Sequence, residues 1–285
     1  MTSQPGDGQP PGPDGQPGLW NGAGGRGWVA LQDVLDQMYQ PVEDLLVDAI
    51  RSETADRVLD VGCGTGSTTV AAARRLGASG SSTGIDISEP MIASARARAE
   101  GQGGSVTFIV GDAQAYPFER ASFDAVISRF GVMFFADPVA AFRNLRGAAR
   151  AGALLRLIVW RSADENPFMT AAERAAAPLL PDLPVRRPDE PGQFAFADRD
   201  RVRRILADGG WSEIDIQPID MPCAMPERVL VSYLTQLGPV GRVLQQATDD
   251  VRARVVAAIR PAFDPYVHGA EVRFDAACWM VLARA

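Results

Sequence analysis

The chain has 285 residues, 46% of them apolar, and a net charge of −7 at pH 7. That suits a globular protein with a substantial core, and the acidic balance argues against a nucleic-acid partner, whose phosphates need a basic face. The three cysteines (Cys63, Cys223, Cys278) lack zinc-site spacing, no run is long enough to span a membrane, and the start does not read as a signal peptide, so a cytoplasmic, metal-free protein is expected.

Residues 1–27, rich in Gly, Pro, Gln and Asp, predict a disordered tail, with order beginning near Trp20 or Trp28 and a single domain over 28–285. Val29 to Arg51 reads as an amphipathic helix pair interrupted by Pro41, with Tyr39 at the break. Strands are predicted over 57–61, 82–87, 106–110, 123–128 and 153–160, with helices between them. Ser88 and Pro90 start one helix, and Asp137-Pro138 starts another. This alternation predicts an α/β fold with a parallel sheet. A Pro- and Ala-rich stretch over 162–197 follows, then a helix over 198–207 stopped by Gly209-Gly210. A sixth strand over 213–219, a mostly helical segment over 226–261 and a long strand over 271–283 complete the chain.

The chemistry concentrates around the first strand. Val58-Leu-Asp-Val-Gly-Cys-Gly-Thr-Gly66 is an apolar run broken by one acid, then glycines at alternate positions, then a helix start. Glycine permits positive φ and close approach of a ligand. A dinucleotide turn, G-x-G-x-x-G, would need glycine at 67, where Ser67 stands. Asp60, two residues ahead of the turn, would repel a pyrophosphate but attract ammonium and sulfonium groups. That points to S-adenosylmethionine (SAM).

Asp60 to Gly66 resembles the first motif of class I SAM-dependent methyltransferases, in particular the small-molecule branch that includes the ubiquinone and menaquinone biosynthesis enzymes. The resemblance covers roughly Val58 to Trp160. It implies a Rossmann-like, seven-stranded, mostly parallel sheet with helices on both faces, an antiparallel last strand and helical lid insertions. It also implies that Asp60, Gly62, Cys63, Gly64 and Gly66 cradle the cofactor. Asp86 ends the second strand and is expected to accept both ribose hydroxyls, with Ile87 and Met91 walling the adenine. Asp112 and Ala113 are expected at the adenine edge by the same resemblance, and Tyr39 is expected to offer a hydroxyl over the site. Ser128 and Arg129 are expected to face the methionine portion of SAM. Because ligands of open α/β sheets bind beyond the carboxyl ends of the strands, segments 162–197 and 222–270 are expected to roof the pocket and choose the substrate.

The sole histidine, His268, is a candidate general base. Glu165-Asn-Pro-Phe168 is read as a turn at the start of the lid. The expected activity is methyl transfer from SAM to a small organic acceptor, leaving S-adenosylhomocysteine. Partners are limited to that small molecule, with a homodimer left open. The alternatives are a non-catalytic SAM-binding or interaction protein, and an NAD-dependent oxidoreductase sharing the glycine turn and Asp86.

Overall fold

The structure, a computed structural model, describes residues 15–51, 56–102, 104–181, 183–184, 186–187 and 190–285. Eight strands form one sheet: β1 (Arg57–Val61), β2 (Ser81–Asp86), β3 (Ser105–Val110), β4 (Phe123–Arg129), β5 (Ala149–Trp160), β6 (Ser212–Pro226), β7 (Val267–His268) and β8 (Glu271–Arg284). The order is β3-β2-β1-β4-β5-β8-β6, with β7 folded back on β8. β1 to β5 pair in parallel, and β8 lies antiparallel between β5 and β6. This is the expected sheet with the two-residue β7 added. The predicted strand positions hold, while β5 and β6 are longer than their apolar cores suggested.

The parallel strands are apolar because helices cover both faces. Val58, Leu59 and Val61 of β1, Val126 and Ile127 of β4, and Leu155, Leu157, Ile158 and Val159 of β5 are all buried. Helix starts follow the local chemistry. Ser88 accepts from the Met91 amide, Asp137 accepts from the Ala140 amide, and each has a proline in the first turn. Helices Gln32–Met38 and Gln40–Arg51 form the predicted amphipathic pair, with Tyr39 between them.

The tail is a correction. Residues 1–14 lie outside the described residues, but Gly15–Asn21 and Ala23–Ala30 are helices rather than disordered chain. Tertiary contacts override their poor helix composition. The Trp20 ring meets Phe134 edge-on at 5.0 Å, and the Trp20 carbonyl accepts from the Ser88 hydroxyl at 2.6 Å. Asn21 accepts from the Glu89 amide and donates to the Ile87 carbonyl. The first helix is thereby fastened to the loop that follows β2.

The strand order reverses between the parallel strands β1 and β4, and the turns leaving these strands meet there. Gly62 has φ +66°, and a Cβ on it would lie 2.6 Å from the Gly131 Cα. A Cβ on Gly131 would lie 2.5 Å from the Val61 carbonyl oxygen. Backbone therefore touches backbone at the mouth of the sheet, and neither side can yield by turning a side chain. Gly131→Ala is expected to lower stability by about 1–3 kcal/mol, the usual cost of overpacking. Gly147→Ala, a helical site with no such neighbour, should raise stability by about 0.5–1 kcal/mol. Urea unfolding midpoints of the two variants, moving in opposite directions from the parent, check this.

Candidate cofactor and acceptor site

One cavity of about 1570 Å³ lies beyond the carboxyl ends of β1, β2 and β4. A site for one drug-sized molecule is typically about 300–1,000 Å³, so this space can hold a nucleoside cofactor and an acceptor together. Of the residues expected at the site, Tyr39, Asp60, Gly62, Cys63, Gly64, Asp86, Ile87, Met91, Asp112, Ala113 and Arg129 line it.

Three of the expected residues do not line it. Ser128 is buried off the cavity wall, donating to the Val61 carbonyl at 2.7 Å and accepting from the Gly131 amide; it fastens β4 to β1. Gly66 is also off the wall. It starts helix Ser67–Leu76 in the left-handed region, φ +84°, where a Cβ would lie 2.8 Å from both Ala95 and Phe108, so packing explains the glycine. His268 is exposed in the β7–β8 hairpin, outside the cavity.

The glycine turn is shaped by Asp86. Its carboxylate accepts from the Gly64 amide at 2.8 Å and the Ser88 amide at 2.9 Å, joining the turns after β1 and β2. Burial raises its pKa, and these amide bonds oppose the rise. Asp112 accepts from the Gln114 amide at 2.9 Å in its own turn and stands exposed at the cavity rim.

Asp60 is buried, and its carboxylate accepts from the Thr69 hydroxyl at 2.7 Å. Among the described residues no cation lies within ion-pair distance of it. Burial pushes its pKa up to about 7, while the Thr69 bond and the Arg129 charge pull down, and Glu43 and Asp86 push up. A buried acid without a cationic partner, in the wall of a cavity, is a fitting place for a ligand ammonium. Together with the glycine turn, where Gly64 at φ +56° lets backbone line the space, the residues present fit SAM.

Arg129 is already engaged. Its guanidinium donates to the Ser67 hydroxyl at 2.9 Å, with Glu43 at 3.7 Å and Asp36 at 4.0 Å. One of its nitrogens, Nη1, makes no hydrogen bond. Glu43, Asp36 and Thr69 escape a reading of strand ends because they come from helices folded over the site. Thr65, Thr68, Gln114 and Trp20 also line the cavity.

The other part of the cavity is aromatic. Phe130, with φ +64°, stacks on Trp160 at 4.7 Å, and Tyr39 meets both rings edge-on. A phenylalanine in the left-handed region is strained backbone held by its surroundings. Both lid segments contribute to the wall, Phe168, Met169 and Phe194 from one, Tyr233, Leu237 and Phe263 from the other. The Asn166 of Glu165-Asn-Pro-Phe168 is the structural turn expected. Its amide group bonds both main-chain groups of Ala277 at 3.0 Å. Phe168 stacks on Phe274 at 3.9 Å.

Residues 58–152 match a protein family described as methyltransferase domain. Aklanonic acid methyltransferase DauC of Streptomyces sp. (strain C5) is 38% identical over 106 residues, covering 37% of this chain and 48% of its own. Demethylmenaquinone methyltransferase of Renibacterium salmoninarum is 28% identical over 184 residues, covering 62% of this chain and 75% of its own. The chain thus spans about half the length of the first relative and three quarters of the second. The phosphoethanolamine N-methyltransferase 2 of Haemonchus contortus, solved in complex with S-adenosyl-L-methionine, shares the fold. The TM-score is 0.51 at 18% identity, over 85% of this chain and 52% of that one. No helix among the described residues is long and apolar enough to cross a membrane.

The raised pKa of Asp60 sets a pH dependence. Below about 7 the empty site holds a proton on this acid, and a cationic ligand must displace it. Affinity for S-adenosylhomocysteine, whose ammonium is the relevant cation, should therefore fall as pH drops from 8 to 6. The loss should approach tenfold per unit below about pH 7, and Asp60→Asn should weaken binding and flatten the slope. The sign is the opposite for folding. An acid whose pKa is raised in the folded chain favours the fold at low pH and loses that contribution as pH rises through about 7. Calorimetric titrations across that range check the binding prediction.

Proposed function

We propose that this chain, in which residues 58–152 form a class I SAM-dependent methyltransferase domain, transfers a methyl group from SAM to a small organic acceptor, leaving S-adenosylhomocysteine. The observation that carries this reading is the continuity of one cavity. Asp60, Asp86 and Asp112 line it with the glycine turn, and the aromatic wall of the lid lines it too. A site for cofactor binding alone needs no second, apolar chamber.

SAM, when bound, supplies a methyl group made electrophilic by the adjoining sulfonium. The chain supplies placement. Asp60 attracts the ammonium, Asp86 offers its remaining lone pairs to the ribose hydroxyls, and Asp112 with the Ala113 amide meets the adenine edge. Ile87 and Met91 wall the ring. Phe130, Trp160 and Tyr39 exclude water from the acceptor's side.

The reading includes no protein base. Tyr39 and Tyr233 face the cavity, but burial raises both well above the usual phenol range and keeps them protonated. They donate hydrogen bonds rather than take protons. An acceptor whose own nucleophile ionises readily fits this arrangement. The names of the two relatives give an organic acid and a quinone as their acceptors. Cytoplasmic residence and a homodimer are retained as expectations.

Calorimetry with SAM and with NAD tests the cofactor: SAM should bind and NAD should not. A screen of small acids and phenols with methyl-labelled SAM should then yield labelled product. SAM binding without transfer to any acceptor would favour the non-catalytic reading. Asp86→Ala should weaken SAM binding by about 1–3 kcal/mol, the scale of charge-assisted hydrogen bonds. His268→Ala should leave both cofactor affinity and methyl transfer at parent values; a loss of transfer alone would return the histidine to the mechanism.

A further inference from the structure

Among the described residues, the lid places an unbalanced positive charge in the cavity wall. Arg186 makes a two-pronged pair with Glu173 of helix Pro167–Ala176, Nε to Oε2 at 2.7 Å and Nη2 to Oε1 at 2.5 Å. Both oxygens of Glu173 are thus engaged. The Arg186 guanidinium also lies 4.9 Å from the Phe194 ring centroid. Its neighbour Arg187 pairs with Glu190 at 2.9 Å. Arg242, on helix Gly238–Leu244, lines the same cavity, half-buried, and makes no ion pair or hydrogen bond among the described residues. The charges acting on it are Arg186 and Glu173, and burial and Arg186 both oppose its protonated form.

The balance is two guanidinium groups against one carboxylate. Arg187 and Glu190 cancel, which leaves one positive charge over among the described residues. A half-buried cation beside a like charge is costly unless an anion joins it. A guanidinium offers a planar fork, and the anion whose shape matches that fork and whose single charge matches the excess is a carboxylate. A phosphate dianion would overshoot the balance. The same cavity carries an apolar and aromatic wall, with Phe168, Phe194, Tyr233, Leu237 and Phe263.

We propose that the acceptor is a monoanion, an aromatic body carrying a carboxylate, and that Arg242 receives that carboxylate from the lid side of the cavity. The proposal rests on the reading of this cavity as a joint cofactor and acceptor site, and it assigns Arg242 to substrate choice rather than to methyl transfer. Arg186 is the positioning residue beside it, held by Glu173 and Phe194.

The test compares 2-naphthoate with 2-naphthamide, which differ in charge but little in shape, by calorimetry on the full chain with saturating S-adenosylhomocysteine. The parent protein should bind the acid at least tenfold more tightly than the amide. Arg242→Gln should bring the two within twofold, and Arg242→Lys should restore part of the preference, with S-adenosylhomocysteine affinity unchanged in all three. Equal affinities in the parent, no binding of the acid, or a preference that survives Arg242→Gln would each overturn the proposal. Should the parent fail to bind S-adenosylhomocysteine, the methyltransferase reading falls instead. The same acid–amide comparison without it would still decide the role of Arg242.

Discussion

The carboxylate of Asp86 holds the site together. By accepting from the amides of Gly64 and Ser88, it joins the turn after β1 to the turn after β2. It also fixes the spacing of those two turns at the floor of the cavity. Gly62 and Gly131 complete the floor by bringing the turns after β1 and β4 into backbone contact. The strand order reverses between those two parallel strands, so their connections leave in opposite directions and a crevice opens between them. A crevice at such a switch point is a consequence of connectivity, but its chemistry comes from the acid that spans it.

Charge is sorted along the cavity. Three aspartates accompany the glycine turn and guanidinium groups occupy the lid, so the walls favour a cation in one region and an anion in another. Arg129 is the exception near the turn, and it is answered by Glu43 and Asp36 from the covering helices. The result is that Asp60 keeps its charge deficit even though an arginine stands close by. Local neutralisation of Arg129 is what leaves the neighbouring acid free to respond to a ligand.

The sequence made the central strands legible because their apolar runs and helix caps are local features. Val58 to Val61, Ser88-Glu89-Pro90 and Asp137-Pro138 each announce their own structure. Asp60, Asp86 and Asp112 stood out because each lies at or just past the carboxyl end of a strand. Position along a strand does not disclose side-chain direction, which is why Ser128 was expected at the cofactor and instead bonds Val61. Gly66 carries the motif for packing reasons, and His268 stood out only for being the sole histidine. Helix Gly15–Asn21 was hidden because composition reports intrinsic propensity, whereas Trp20, Asn21 and Ser88 supply the order through contacts some 66–68 residues apart in sequence. Arg242 gave no local signal. Its place in the charge balance of the described residues exists only in the folded chain.

That first helix also bears on timing. It is held to the β2 loop by three hydrogen bonds and to Phe134 by one ring contact, a small attachment beside the cooperative core. Segments so lightly fastened detach at a fraction of the free energy of global unfolding. Gln16, Leu19 and Trp20 of this helix border the same cavity as Asp86 and Ile87. Peeling it back would expose this edge of the cavity to solvent without disturbing the sheet.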